Sequence, residues 1–161
     1  MYILIFTALT ILFSLGHILL KKTPKPQMPL IILMYLLVFM AGFSSFYAGL
    51  GHLFRSDYVA HYIGWPAGNL FQWEIAYANF ALGLLGVLCF WFRDRFMLAT
   101  SLAYTVFLFG AAHTHLYDIF ARGNYAPGNA GIVLYADILI PIIIISLLIL
   151  NKISTKKYTK E

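Results

Sequence analysis

The chain of 161 residues is 61% hydrophobic and 17% aromatic but only 11% charged, and its mean hydropathy is +0.82. Soluble domains average about 45–50% apolar and about 25% charged residues, so a soluble core of this length could not hide the apolar surface. The composition therefore indicates an integral membrane protein. The formal net charge of +5 comes from basic residues clustered between apolar runs. This pattern is typical of membrane topology signals, so we expect the lipid bilayer, and no nucleic acid, as a partner.

Five apolar segments are each close to the ~20 residues that cross a bilayer as a helix. They lie at about 2–20, 29–50, 71–92, 97–119 and 132–150. We predict an all-α integral membrane protein whose five transmembrane helices form one domain, residues 1–151, followed by a polar, basic cytoplasmic tail, residues 152–161. A short interfacial helix is expected between the second and third spans, capped by Ser56 or Asp57 and ended by Gly64.

The loop charges predict the orientation. If the five helices alternate in direction, nine of the eleven lysines and arginines fall on one side, and only Arg55 and Arg122 fall on the other. Because cytoplasmic loops are enriched in Lys and Arg, we expect the N-terminus outside and the C-terminus in the cytoplasm. The chain is then a multi-pass protein of the cell inner membrane.

Small residues at helical spacing predict that other helices approach two of the spans closely. Ala41, Ser45 and Gly49 are four residues apart in the second segment, and Asn79, Gly83 and Gly86 form a similar stripe in the third. Small side chains let two helix backbones approach closely in a membrane.

Polar and ionisable side chains converge at the outer end of this predicted bundle. Such groups are costly inside a bilayer and usually face a bundle interior or a cavity. We therefore predict an outer-leaflet polar pocket. Its candidate ligand-binding residues are His52, Glu74, Asn79, His113, His115, Asp118 and Asp137.

The sequence HTHLYD in the fourth segment carries the densest part of this cluster. His115 and Asp118 are three residues apart and share a helix face, whereas His113 points about 200° away from His115. The pair could provide two metal ligands, or a carboxylate-oriented imidazole that acts as a base. A hydrogen-bonded pair that satisfies a helix end is the favoured structural alternative.

Two further candidates lie at predicted helix ends. Glu74 lies in the first turn of the third span and His52 at the end of the second. The helix dipole favours an acid and a histidine at these respective positions, so both residues also have a purely structural interpretation.

Asp137 lies inside the last span, four residues before Pro141. Proline has no N–H to donate to the carbonyl of residue 137, so a polar, kinked site is expected beside the carboxylate. We expect Asp137 to pair within the bundle, and Arg55 or Arg122 to neutralise one of the outer acids.

The stretch GLGHLFRSDYVAHYIGWPAGNLFQWEIAYANFALGLLGVLCFWFRDRFMLAT resembles the DoxX-like membrane proteins. The features that carry the resemblance are Gly51, Pro66, Glu74, Gly83, Gly86 and Arg93. The likeness covers roughly residues 36–150 and is closest to an uncharacterised bacterial branch. It implies a four-helix core with an added N-terminal helix and, in some relatives, a membrane subunit of a redox complex linked to the quinone pool. No catalytic residue is carried over.

The leading functional hypothesis is a membrane-embedded component of a redox or quinone-linked system. Its outer pocket would bind a small amphipathic ligand or dock an extracytoplasmic redox partner. One alternative is a membrane metalloenzyme with a divalent metal held by His52, Glu74, His115 and Asp118. The other is a non-catalytic assembly or cargo-binding membrane partner. Whether the protein is an enzyme stays open at this point.

Overall fold

The computed structural model describes residues 2–158, with side chains through residue 154, and this part of the chain is helical without any strand. The helices are α1 (Tyr2–Leu20), α2 (Met28–Leu36), α3 (Ser45–Phe54), α4 (Ser56–Ile63), α5 (Phe71–Leu88), α6 (Arg95–Arg122) and α7 (Ile132–Tyr158). A short 3-10 turn at Lys25–Gln27 precedes α2, and a π-helical segment at Leu37–Ser44 joins α2 to α3 without a break. The predicted all-α fold is confirmed.

Within the described residues, four helices are long and apolar enough to cross a membrane. They are Tyr2–Leu20, Lys25–Phe54, Arg95–Arg122 and Ile132–Ser154. In the most apolar 18 residues of α1, only 17% are buried inside the protein, against 67% for the helix Lys25–Phe54. Lys25–Phe54 is therefore the central helix. Exposed side chains such as Leu12 and Leu20 are stable against lipid rather than water. This supports the predicted membrane class.

α5 is not among these four helices. It has 18 residues, and Gln72, Glu74 and Asn79 interrupt its apolar character. It was predicted to reach residue 92 but ends at Leu88. The N–H groups of Phe90 and Trp91 each bind a carbonyl three residues back at 3.1 Å, so the apolar run closes into a turn before α6.

The bounds of the other helices agree only in part with the predicted ones. α1 spans the predicted residues, but α3 continues to Phe54 and α6 runs from Arg95 to Arg122, where Gly123 adopts a left-handed φ of 65°. α7 continues past residue 150 into the predicted tail as far as Tyr158. Residues 159–161 of that tail lie outside the described residues.

The close helix approach predicted at the two small-residue stripes is confirmed, and the structure shows that the two helices carrying them pack against each other. A Cβ added at Gly86 would lie 2.3 Å from the backbone nitrogen of Gly42 in the π-helical segment, and one at Gly49 would lie 2.9 Å from the carbonyl oxygen of Ala76 in α5. Backbone therefore packs directly against backbone, which only small residues permit. This contact fixes α5 against the central helix.

The short helix α4 matches the predicted interfacial helix in position. Gly64 ends it with a left-handed φ of 84°, as expected. The predicted side-chain cap was wrong, because Arg55 occupies the cap position and no side chain caps the helix. The Asp57 carboxylate instead accepts a hydrogen bond from the N–H of Gly68 at 3.1 Å, so it holds the following loop.

The bundle has two chemically different ends. The histidine-rich end is where α3 and α6 finish and α5 and α7 begin, and α4 belongs to it. The basic end is the opposite one, where α1 finishes and α6 begins, and it carries Lys21, Lys22, Arg93 and Arg95.

Candidate functional site

Three buried polar residues meet between α6, α7 and the loop that joins them. His115 of α6, Asn129 of the loop and Asp137 of α7 are 6%, 0% and 7% exposed. His115 Nδ1 lies 2.7 Å from Asn129 Oδ1, and His115 Nε2 lies 3.7 Å from Asp137 Oδ2. Asp137 was expected to pair within the bundle, and its partner there is His115.

The amide of Asn129 determines which nitrogen of His115 carries a proton. Its Nδ2 donates to the carbonyls of Asn124 at 2.8 Å and His115 at 3.3 Å, so its Oδ1 is the acceptor that faces the imidazole. His115 Nδ1 must then be the donor, and in the neutral ring Nε2 carries only a lone pair. That lone pair faces a carboxyl oxygen.

His115 and Asp137 thus form a close pair of a base and an acid. Nε2 and Oδ2 are 3.7 Å apart, which is an ion-pair rather than a hydrogen-bond distance, and both side chains are buried. An imidazole beside a carboxyl group is an arrangement that can exchange a proton.

Asp118, by contrast, is surrounded by donors. Its Oδ2 accepts hydrogen bonds from Trp65 Nε1, at 3.0 Å, and from Asn124 Nδ2, while its Oδ1 lies 3.6 Å from the Arg122 guanidinium. The expected neutralisation of an outer acid by Arg122 is present. The predicted direct pairing of His115 with Asp118 is wrong: the two share the buried face of α6, but each binds partners from other elements because the loops supply amide and indole groups. Asp118 is therefore a structural anchor.

The same hydrogen bonds join the two loops of the histidine-rich end. Asn124 Nδ2 also donates to the carbonyl of Ile63 at 2.9 Å, and the N–H of Gly128 donates to the carbonyl of Tyr62 at 2.9 Å. A Cβ at Gly128 would lie 2.5 Å from the Tyr62 ring, so only glycine fits there. The Trp65 ring lies over the His115 ring, with centroids 6.2 Å apart and planes 26° apart.

A cavity of about 160 Å³ opens beside this network. We call it the Trp65 cavity, and its lining residues are Trp65, Pro66, Asn69, Phe71, Gln72 and Arg122. Gln72 Oε1 is hydrogen-bonded to His52 Nδ1. The cavity therefore lies between two polar groups of residues, with the His52–Gln72 pair on one side and Asp118, held by Trp65 and Arg122, on the other.

Three predicted pocket residues lie elsewhere. The side chains of Glu74 and His113 are exposed, because both fall on faces of α5 and α6 that no other helix covers. Asn79 is buried, but its amide donates to the carbonyl of Ile75 at 2.9 Å within its own helix. Its hydrogen bonding is thus explained locally.

The four predicted metal ligands are not assembled. His52 is bonded to Gln72, Glu74 is exposed, and His115 and Asp118 bind the separate partners described above. Among the described residues, no three His, Cys, Asp or Glu side chains converge in a way that could hold a metal ion. The metal-site hypothesis is wrong in its geometry. The spacing of residues along the sequence gave the depth of each residue in the bundle but not the direction in which its side chain points.

The residues that the sequence did not reveal are Trp65, Gln72, Asn124 and Asn129. The two asparagines lie in the segment ARGNYAPGNAG, whose Gly, Pro and Asn residues are typical of a turn. Asparagine in such a segment can be a turn former or a buried hydrogen-bonding group, and only tertiary contacts separate the two. Trp65 directly follows the short helix α4, where an aromatic side chain is typical of the membrane interface, but its indole is half-buried.

Comparisons with known proteins place the chain in one family. The model of that family, described as a family of unknown function (DUF6790), matches residues 1–157. No curated protein and no solved structure is significantly similar to the chain. Because the match extends over nearly the whole sequence, the chain belongs to the DUF6790 family.

Proposed function

We propose that the protein is a membrane-embedded component of a redox or quinone-linked system, and that its Trp65 cavity binds the polar head group of a small amphipathic ligand. The observation that carries the proposal is the position of this cavity. It touches Gln72, which is held by His52, and also Trp65 and Arg122, which are held by Asp118. A bound head group would therefore contact both polar groups of residues at once.

The chemistry of the lining favours a flat ring that carries oxygen acceptors. Gln72, Asn69 and Arg122 supply donors, while Trp65 and Phe71 supply aromatic faces. A volume of about 160 Å³ is below the ~300–1,000 Å³ of pockets that enclose a whole drug-sized ligand. The cavity thus suits a head group whose apolar tail stays in the lipid, as a quinone with an isoprenoid tail would do.

The buried pair of His115 and Asp137 supports the quinone-linked part of the proposal. Reduction of a quinone takes up protons, and its reoxidation releases them. The Trp65 ring, which lines the cavity and stacks on His115, connects the cavity with this pair. The resemblance to DoxX-like proteins supports the same assignment.

We also propose that α5 is a fifth span and that the histidine-rich end faces outward. At about 1.5 Å per residue, 18 helical residues extend about 27 Å, close to the ~30 Å hydrocarbon thickness. Five spans would put nine of the eleven Lys and Arg residues on the cytoplasmic side. Docking of an extracytoplasmic partner would use this same outward end.

Cysteine labelling in intact cells tests the orientation. The native Cys89 is fully buried, so its background reaction with a membrane-impermeant maleimide is expected to be low. Tyr125→Cys, at a loop position that is 73% exposed, should be labelled from outside, and Lys21→Cys only after the membrane is opened. Labelling of both positions from the same side would remove the five-span arrangement.

Tryptophan fluorescence tests ligand binding. Titration of the detergent-purified protein with a short-chain benzoquinone should give saturable quenching that Trp65→Phe largely removes. Trp91→Phe is the matched control, because this tryptophan is 66% exposed and lies towards the basic end. Gln72→Leu should weaken the apparent affinity several-fold. Quenching that does not saturate, or that both tryptophan variants reduce equally, would contradict the proposal.

A further inference from the structure

A second and larger cavity lies at the basic end, away from the site described above. Its volume is about 460 Å³, within the ~300–1,000 Å³ range of ligand pockets. α2, α6 and α7 all contribute to it, so it lies between three helices rather than on one. We call it the Arg95 cavity.

The lining of the Arg95 cavity changes from apolar to charged. Leu33 of α2 and Met97 of α6 are each 1% exposed, and with Leu148 of α7 they form an apolar floor. Arg95, at the start of α6, and Lys152, near the end of α7, are exposed at its rim. The two cations come from distant parts of the sequence, and the fold brings them to one opening.

One acidic residue also lines the opening. Asp94 has a left-handed φ of 53°, which is strained for a residue other than glycine, and its side chain does not cap α6. Its negative charge opposes part of the attraction that the two rim cations exert on an anion. Further positive charge lies close by, since the 3-10 turn that contains Lys25 packs against α7, and Arg93 precedes Asp94.

We propose that the Arg95 cavity binds an anionic phospholipid, with its phosphate between Arg95 and Lys152 and an acyl chain on the floor of Leu33, Met97 and Leu148. Basic residues beside a membrane attract anionic head groups. A free phosphate would leave the apolar floor uncovered, whereas a lipid satisfies rim and floor together. The site stands independently of the proposed ligand at the other end.

Binding of defined lipids tests this site. The full-length protein is stripped of lipid in detergent, and phosphatidylglycerol or phosphatidylcholine with identical acyl chains is added while binding is followed by native mass spectrometry. We expect phosphatidylglycerol to bind roughly tenfold more tightly, because the two rim cations favour the lipid with a net negative charge while Asp94 opposes part of the attraction. Glycerol phosphate and inorganic phosphate should not compete at equal concentration. Equal binding of the two lipids, or full competition by free phosphate, would overturn the proposal.

Matched variants locate the effect. Arg95→Ala with Lys152→Ala should abolish the preference for phosphatidylglycerol, whereas Lys21→Ala with Lys22→Ala removes the same charge from the same end but outside the cavity and should preserve it. If the first double variant does not fold, Lys152→Glu alone carries the test and should remove the preference. An equal loss in the Lys21/Lys22 control would show that the preference reflects general surface charge and would overturn the assigned site.

Discussion

The two ends of this bundle are held together by different interactions. At the histidine-rich end, buried side chains of His115, Asp118 and Asn129 hydrogen-bond across three chain segments and leave a small cavity. At the basic end, apolar side chains such as Leu33 and Met97 form the contacts, and the larger cavity has a cationic rim. Hydrogen bonds depend on direction, so one end should hold a single geometry, whereas the other can adapt to a flexible acyl chain.

The largest effect is expected from Asn129→Leu. This change would leave His115 Nδ1 and the carbonyls of His115 and Asn124 without their partner in a buried site. Each unpaired buried group costs about 1–3 kcal/mol, so the free energy of unfolding should fall by roughly 3 kcal/mol or more. Thermal unfolding in detergent measures this. Thr114→Ala, on the exposed face of α6, should change little, and wild-type stability of Asn129→Leu would show that the network does not hold this end.

Met97→Ala makes the corresponding change at the basic end. Removing a side chain that is 1% exposed from the apolar floor should cost about 2–5 kcal/mol in detergent. Because Met97 forms part of the proposed lipid site, bound phosphatidylglycerol should stabilise Met97→Ala less than it stabilises Asn129→Leu, in which that site is intact. The same unfolding measurement with and without phosphatidylglycerol provides the comparison. Equal stabilisation of both variants by the lipid would mean that Met97 does not contribute to the lipid site.

Asp137→Leu and Asp137→Asn test the pairing of His115 with Asp137. Leucine leaves the buried Nε2 of His115 without its polar partner and should lower the stability by about 1–3 kcal/mol. Asparagine keeps a polar group beside Nε2, so its effect should be smaller than that of leucine. Thermal stability of both variants, with and without the benzoquinone, measures this. If the asparagine variant is no more stable than the leucine variant, the polar contact with His115 does not stabilise the wild-type protein.

Arg122→Ala should have the smallest effect on stability. The Arg122 side chain is 68% exposed, and an ion pair at such a position contributes about 0–1 kcal/mol. Because Arg122 also lines the Trp65 cavity, the variant should weaken benzoquinone binding while stability changes by less than about 1 kcal/mol. A fluorescence titration and a melting curve on the same sample separate the two effects. Unchanged binding would remove Arg122 from the ligand site.

Part of this site could be predicted from the sequence. Hydropathy identifies the apolar spans and therefore shows which ionisable residues fall inside the membrane. Asp137 and His115 were both identified as costly groups, and Arg122 was named as a possible counter-charge. The pairing of His115 with Asp137 could not be predicted, because residues 22 positions apart meet only when α6 and α7 pack. Glu74 and His113 were included in the predicted pocket although their side chains are exposed. A linear pattern gives the depth of a residue in the membrane but not the side of the helix that neighbouring helices cover.

The sequence by itself determined the helical membrane class, the bounds of α1, the end of α4 at Gly64 and the presence of small-residue stripes where another helix can approach closely. These depend on local chemistry: apolar length, the conformational freedom of glycine and the size of side chains. Only the tertiary structure decided the π-helical segment, the roles of Asn124 and Asn129, and the two cavities. Each of these requires atoms from separate helices or loops to meet, and the geometry of that meeting is fixed by packing rather than by any pattern along the chain.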